Sequence, residues 1–210
     1  MLAHRSSERG DTIIEVIVAV ALFSSVLVMT FTSLNQSSAA ALRTYEISQV
    51  NEQLDAQAQT LRFLHESYVS NYSNGVTYNL SDGATSPGEE YQKVLDKVAS
   101  AGLTSASPYS GVTSCPSPAP AGSFGLNTRM ARVQDNTASL LTATTYAQAT
   151  YPSGANSPVS LRGIWIEGIR TPAASGRLGF IDFHVRACWT TVGVPVPSNV
   201  GTIVRLYDPR

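Results

Sequence analysis

Glu15 is the one formally charged residue between Thr12 and Leu34, and it sits inside a run of otherwise apolar or small side chains. A carboxylate in hydrocarbon costs about 2–3 kcal/mol at depth and less near an interface, so its presence calls for a partner cation. The other chemically capable groups do not assemble into a site. The histidines are His4, His65 and His184, none at metal-ligand spacing to another His or Cys. His65-Glu66 begins like a zinc-protease motif but has no second histidine at Tyr68 or Val69. Asp182 and His184 stand two apart on the polar face of an expected strand, a spacing that suits a solvated surface better than an acid–base pair. The sequence carries no glycine-rich phosphate loop and no nucleophile elbow. The expectation is therefore a protein without catalytic residues, metal ligands or cofactor.

The element that must position Glu15 is the run Gly10 to Leu34, G-D-T-I-I-E-V-I-V-A-V-A-L-F-S-S-V-L-V-M-T-F-T-S-L. At ~1.5 Å per helical residue its apolar part extends about 34 Å, enough to span a ~30 Å hydrocarbon core. Arg5 and Arg9 precede it against a single acid, Glu8. That balance holds the amino end in the cytoplasm and places the remainder outside. A secretory signal cut near Ala39-Ala40-Ala41 is one competing reading, but its apolar region is ordinarily shorter, ~7–15 residues. A plain single-pass anchor is another. Neither calls for Glu15.

The segment R-G-D-T-I-I-E-V, from Arg9 to Val16, resembles the class III leader of type IV pilins and pseudopilins. The resemblance implies that a membrane-embedded prepilin peptidase cuts between Gly10 and Asp11 and methylates the new amino terminus on Asp11. Glu15 then becomes the fifth residue of the mature chain, the position of the family's signature glutamate. Its implied role is to pair with the α-amino group of a neighbouring subunit, since an amine and a carboxylate in an apolar filament core are each costly alone. Ala21 and Ser25, one turn apart, would let helices approach closely. The chain departs from the family in having Asp11 where Phe or Met is usual. An acid there favours the helix dipole but repels Glu15 by a few tenths of a kcal/mol.

Of the 210 residues, about 175 remain beyond this segment, enough for one modest domain. Net charge is −1 with 14% charged residues, which argues against a broad basic surface for nucleic acid. No glycine lies between Gly10 and Gly75 and no proline before Pro87, so the helix is expected to continue to about Tyr72. Ile47, Val50, Leu54, Ala58, Leu61, Leu64 and Tyr68 form its apolar stripe, interrupted by Gln57. Glu46, Gln49, Glu52, Gln53 and Gln59 occupy the opposite face. A coiled coil is possible for such a stripe, but its short length favours packing on the protein's own head.

Beyond the turn Asn71 to Val76, Ser86-Pro87-Gly88-Glu89 reads as a capping box opening a short helix over 87–101, stopped by Gly102. Thr104 to Ala121 reads as a Ser/Pro-rich loop, Ser123 to Asn127 as a short strand, and Thr137 to Ser157 stays ambiguous between strand and loop. Gly163 to Thr171 and Gly179 to Thr190 form an expected hairpin joined by P-A-A-S-G-R, and Thr202 to Tyr207 is a third strand. In the second, Ile181, Phe183, Val185, Ala187 and Trp189 alternate with Asp182, His184, Arg186 and Cys188, giving one core face and one solvated face. Cys188 thus points away from the helix-packed core, and Cys115 lies in the loop. In an exported chain the two can pair, a placement similar to the loop-to-last-strands disulfide of many pilins; two unpaired buried thiols are the alternative.

The resulting expectation is an α+β, pilin-like chain. It comprises a leader (1–10), a membrane or filament-core half-helix (11–34), an amphipathic half-helix (35–72), a variable region (73–162) and an antiparallel sheet head (163–210). The resemblance implies a structural subunit of a type IV pilus or related filament, with adhesion, twitching motility, secretion or DNA uptake as the associated activities. Its partners would be the prepilin peptidase, other pilin subunits, the inner-membrane assembly platform and the membrane itself. It would be a single-pass membrane protein first and part of an extracellular filament later. The rival is a membrane-anchored adhesin or binding module that never polymerises.

Overall fold

The computed structural model describes residues 11–72, 86–108, 113–134, 139–152, 159–191, 194 and 196–209, with side chains from Ile13 onward. The chain is α+β. Helix α1 spans Asp11–Tyr72, as the absence of Gly and Pro through this stretch requires, and helix α2 spans Pro87–Ala101. The strands are β1 (Gly125–Asn127), β2 (Arg132–Gln134), β3 (Leu140–Leu141), β4 (Gln148–Thr150), β5 (Ser160–Arg162), β6 (Ile164–Thr171), β7 (Phe180–Trp189) and β8 (Ser198–Tyr207). Two compact units result, Met1–Tyr45 and Glu46–Arg210.

In the first unit the large apolar side chains of α1 are open to the surroundings; Phe23 is 66% exposed, Met29 70% and Phe31 69%. A contiguous apolar surface of this kind marks a membrane or assembly face. This helix is long and apolar enough to cross a bilayer. Its hydroxyls are satisfied locally: Ser25 Oγ donates to Leu22 O at 2.7 Å and Thr30 Oγ1 to Val26 O at 2.8 Å, as lipid-facing helices require.

The second unit is built on an antiparallel sheet of order β6-β7-β8. Ile166 stands opposite Val185 and Gly168 opposite Phe183, while Val204 pairs with Phe183 and Leu206 with Ile181. These residues share a face, and against it lie Val50, Leu54, Ala58, Leu61 and Leu64 of α1, all buried in one core with Trp189. The stripe read from the sequence is thus the packing face of the helix. Helix α2 adds Tyr91, Val94 and Val98 to the same core. Its start is the capping box: Glu89 N donates to Ser86 Oγ at 3.3 Å and Ser86 N donates to Glu89 Oε2 at 3.1 Å. Gly102, at φ +57°, ends it.

Short strands fill the region between α2 and the main sheet. β1 pairs antiparallel with β2, and a bridge between Phe124 and Ile166 ties the start of this ribbon to β6. β5 lies between β3, to which it is parallel, and β4, to which it is antiparallel. The segment Thr137 to Ser157, ambiguous in sequence, therefore contains β3 and β4. The last strand begins at Ser198, four residues before the expected Thr202.

Candidate functional site

Glu15 lies on the amino-terminal, apolar part of α1. Gly10, with Arg5 and Arg9, lies outside the described residues; Asp11 is the first residue of α1, and Glu15 is exposed one turn further on. The separation of four helical residues puts positions 11 and 15 on one side of the helix. Around Glu15, Ile13, Ile14, Val16 and Ile17 are each between 60% and 64% exposed. The Glu15 carboxylate set in this surface forms no ion pair among the described residues.

The head is held to the outer part of α1 by polar contacts as well as by the core. Glu46 belongs, by sequence, to the outward polar face of the helix. The structure corrects this: its Oε2 accepts hydrogen bonds from Trp189 Nε1 and Thr191 Oγ1, both at 3.0 Å. Gln57, read as an interruption of the apolar stripe, is 1% exposed. Its Nε2 donates to Leu126 O at 2.8 Å and its Oε1 accepts from Leu126 N at 2.9 Å, so the side chain acts as a strand partner for β1. A lone amide within an apolar stripe is the signal that points to such a clasp.

Cys115 and Cys188 form a disulfide with Cα atoms 5.5 Å apart and a sequence separation of 73. The face of β7 that carries Cys188 is part-exposed at Asp182 and His184, as its alternation leads one to expect, but buried at Arg186 and Cys188, where it departs from that expectation. Arg186 is 7% exposed, Cys188 1%, and Glu167 on β6 is fully buried. The Ser/Pro-rich loop explains the difference. Ser107 donates through its N to Glu167 Oε1 at 3.1 Å and through Oγ to the same oxygen, and Arg186 Nη1 donates to Ser107 O. Arg186 Nη1 also pairs with Glu167 Oε2 at 3.2 Å, and Trp165 Nε1 donates to that oxygen at 3.4 Å. The loop therefore covers a buried ion pair whose lone pairs and protons it helps satisfy, the condition under which such a pair is tolerated.

Asp182 stays near the surface and is bidentate to Arg205, at 2.7 and 2.8 Å. These hydrogen bonds, with a smaller coulombic contribution, hold its carboxyl below the ordinary value in spite of partial burial. His184 is pushed down chiefly by burial and then by Arg186. His65 Nε2 is hydrogen-bonded to Tyr207 O at 2.8 Å. Among the described residues no group of three or more His, Cys, Asp or Glu could hold a metal ion.

No family model matches the sequence, and no curated protein or solved structure matches it.

Proposed function

We propose that this protein is a pilin-like subunit, cut after Gly10 by a prepilin peptidase, methylated on Asp11 and assembled into a filament through its N-terminal helix. The observation that carries the reading is Glu15: the single charged residue between Thr12 and Leu34 of a membrane-length apolar helix, four residues beyond Asp11 of the Gly10-Asp11 junction. After cleavage the α-amino group of Asp11 is a cation without a cytoplasmic tail, and pairing with Glu15 of a neighbouring subunit fixes the axial register of two apolar helices. The open apolar side chains from Ile13 to Leu34 supply the surface to be buried, first by lipid and then by other subunits. The head, closed by the Cys115–Cys188 disulfide, suits the outside of a cell. A filament of a secretion or DNA-uptake system would use the same segment. A non-polymerising anchored adhesin would have no use for Glu15.

Mass spectrometry of the membrane-extracted protein tests the proposal. A mature chain beginning at Asp11 with one added methyl is the expected result. An intact Met1 or a start near Leu42 refutes it. Gly10→Val should leave the precursor uncut, because only a residue without a side chain fits beside the peptidase's catalytic groups. Glu15→Ala should be cut as usual yet fail to enter filaments, and its normal incorporation would remove the assigned role of that carboxylate.

A further inference from the structure

At the end of the head where α1 terminates, a cavity of about 240 Å³ is bounded by His65, Tyr68, Tyr72, Tyr91, Arg170 and Asp208, among others. One wall is aromatic. The Tyr68 ring lies 5.3 Å from that of Tyr91 and 5.8 Å from that of Tyr72, and His65 meets Tyr91 edge-on at 5.2 Å. Tyr72 remains 47% exposed, a ring face open to a ligand. The other wall is polar: Arg170 Nη2 donates to Asp208 Oδ2 at 3.2 Å. Asp208 Oδ1 and the other guanidinium N–H groups of Arg170 make no hydrogen bond among the described residues.

Tyr91 adds a donor to the aromatic wall. Its side chain is 3% exposed, yet its hydroxyl makes no hydrogen bond among the described residues. The enclosed polar side-chain atoms without a partner among the described residues are Ser139 Oγ and Ser160 Oγ; the Tyr91 hydroxyl is instead open to the cavity, where it can donate to an acceptor from outside. Burial, reinforced by Asp208, raises its pKa well above the ordinary 10.0, so the proton stays in place.

We infer that this cavity is a binding site for a neutral sugar ring. A pyranose presents an apolar C–H face, which an aromatic ring covers, and a rim of hydroxyls, each both donor and acceptor. Asp208 Oδ1 and the free N–H groups of Arg170 offer an acceptor beside a donor, the pattern a vicinal diol satisfies, and Tyr91 supplies a second donor from the aromatic side. The volume lies below the ~300–1,000 Å³ of sites for drug-sized molecules, so it accommodates one ring rather than a long chain. Charge selects against anions: Arg170 is already paired with Asp208, so its cation is offset before any phosphate or carboxylate arrives. The site lies within the head and is independent of whether the chain polymerises.

The experiment uses the full chain in a zwitterionic detergent without a sugar headgroup. Methyl glycosides of glucose, galactose, mannose and N-acetylglucosamine are titrated by saturation-transfer NMR, with methyl glucuronide as the acidic comparison. At least one neutral glycoside should receive saturation at its ring protons. Tyr91→Phe, which keeps the ring and removes only the hydroxyl, and Asp208→Asn should each weaken its binding fivefold or more while the thermal midpoint stays within a few degrees. Ile203→Ala, on the opposite sheet face, should bind as the parent does. Absence of transfer to every neutral glycoside, binding of the glucuronide alone, or unchanged affinity in both Tyr91→Phe and Asp208→Asn would each overturn the assignment.

Discussion

Gln57 shows how one residue can carry opposite meanings in a sequence and in a fold. Along α1 it interrupts an apolar stripe, and on transfer free energy alone Gln57→Leu ought to strengthen the core. In the folded head its amide satisfies both the N–H and the C=O of Leu126, a residue that is itself fully buried. Leucine would leave both backbone groups without partners, at about 1–3 kcal/mol each, against a gain of no more than about 2–3 kcal/mol from added apolar burial. Gln57→Leu is therefore expected to destabilise the head by about 1–3 kcal/mol, read as a lower urea midpoint at unchanged slope; a raised midpoint would show that the clasp is dispensable. Glu46 has the same history on a smaller scale. Helical periodicity alone assigned it to the outer face, because nothing local announces that Trp189 and Thr191, more than 140 residues away, bring their donors to it.

Among the elements, those written in local chemistry are the legible ones. The capping box at Ser86, the stop at Gly102 and the alternation of β7 each rest on neighbours in sequence, and the corresponding elements occur where those signals stand. Strands β2 to β5, only two or three residues each, have no period long enough to read; they exist because distant segments complete their hydrogen bonds, as Leu161 N does by donating to Ser139 O at 2.6 Å. Gly163 joins this minor sheet to the main one. It has φ +69°, its N donates to Leu141 O and its O accepts from Cys188 N. A Cβ there would collide with the carbonyl oxygen of Cys188 and crowd Ala143 and Ala147, so Gly163→Ala combines about 1–2 kcal/mol of left-handed backbone strain with about 1–3 kcal/mol of overpacking. Gly176 has φ +77° and open space around it, so Gly176→Ala meets only the first cost. Thermal denaturation of the two variants should differ by about 1–3 kcal/mol in the sense that Gly163→Ala is worse. Equal losses would mean that the close approach at Gly163 relaxes without cost.

On the scale of the whole molecule, the head sheet is covered on one face by α1 and on part of the other, around Glu167, Arg186 and Cys188, by the Ser/Pro-rich loop. The face toward α1 follows from apolar alternation and was readable; the cover on the other face was not, because Thr104 to Ala121 has no periodicity and its role depends on where Ser107 and Cys115 land. Once there, the loop hides Trp165, Glu167 and Arg186. Among the described residues it is held by the hydrogen bonds between Ser107 and the buried ion pair, by the Cys115–Cys188 disulfide, and by Thr142 Oγ1 donating to Ser117 Oγ at 2.8 Å. Their contributions differ in kind. The disulfide closes a segment of 73 residues and acts mainly on the unfolded chain, by about 4 kcal/mol in the chain-entropy model, a large share of the ~5–15 kcal/mol typical of a domain. The Ser107 contacts act on the folded state, where losing the loop would expose a buried charge pair. The double variant Cys115→Ser, Cys188→Ser should therefore lower the urea midpoint of the head strongly while its native state keeps Trp165 shielded, because Ser107 still bridges Glu167 and Arg186. Acrylamide quenching of tryptophan fluorescence, measured below the unfolding transition, separates the two effects. An unchanged midpoint would mean that the disulfide adds nothing to stability, and a freely quenched Trp165 in the folded variant would mean that the Ser107 contacts do not hold the loop without it.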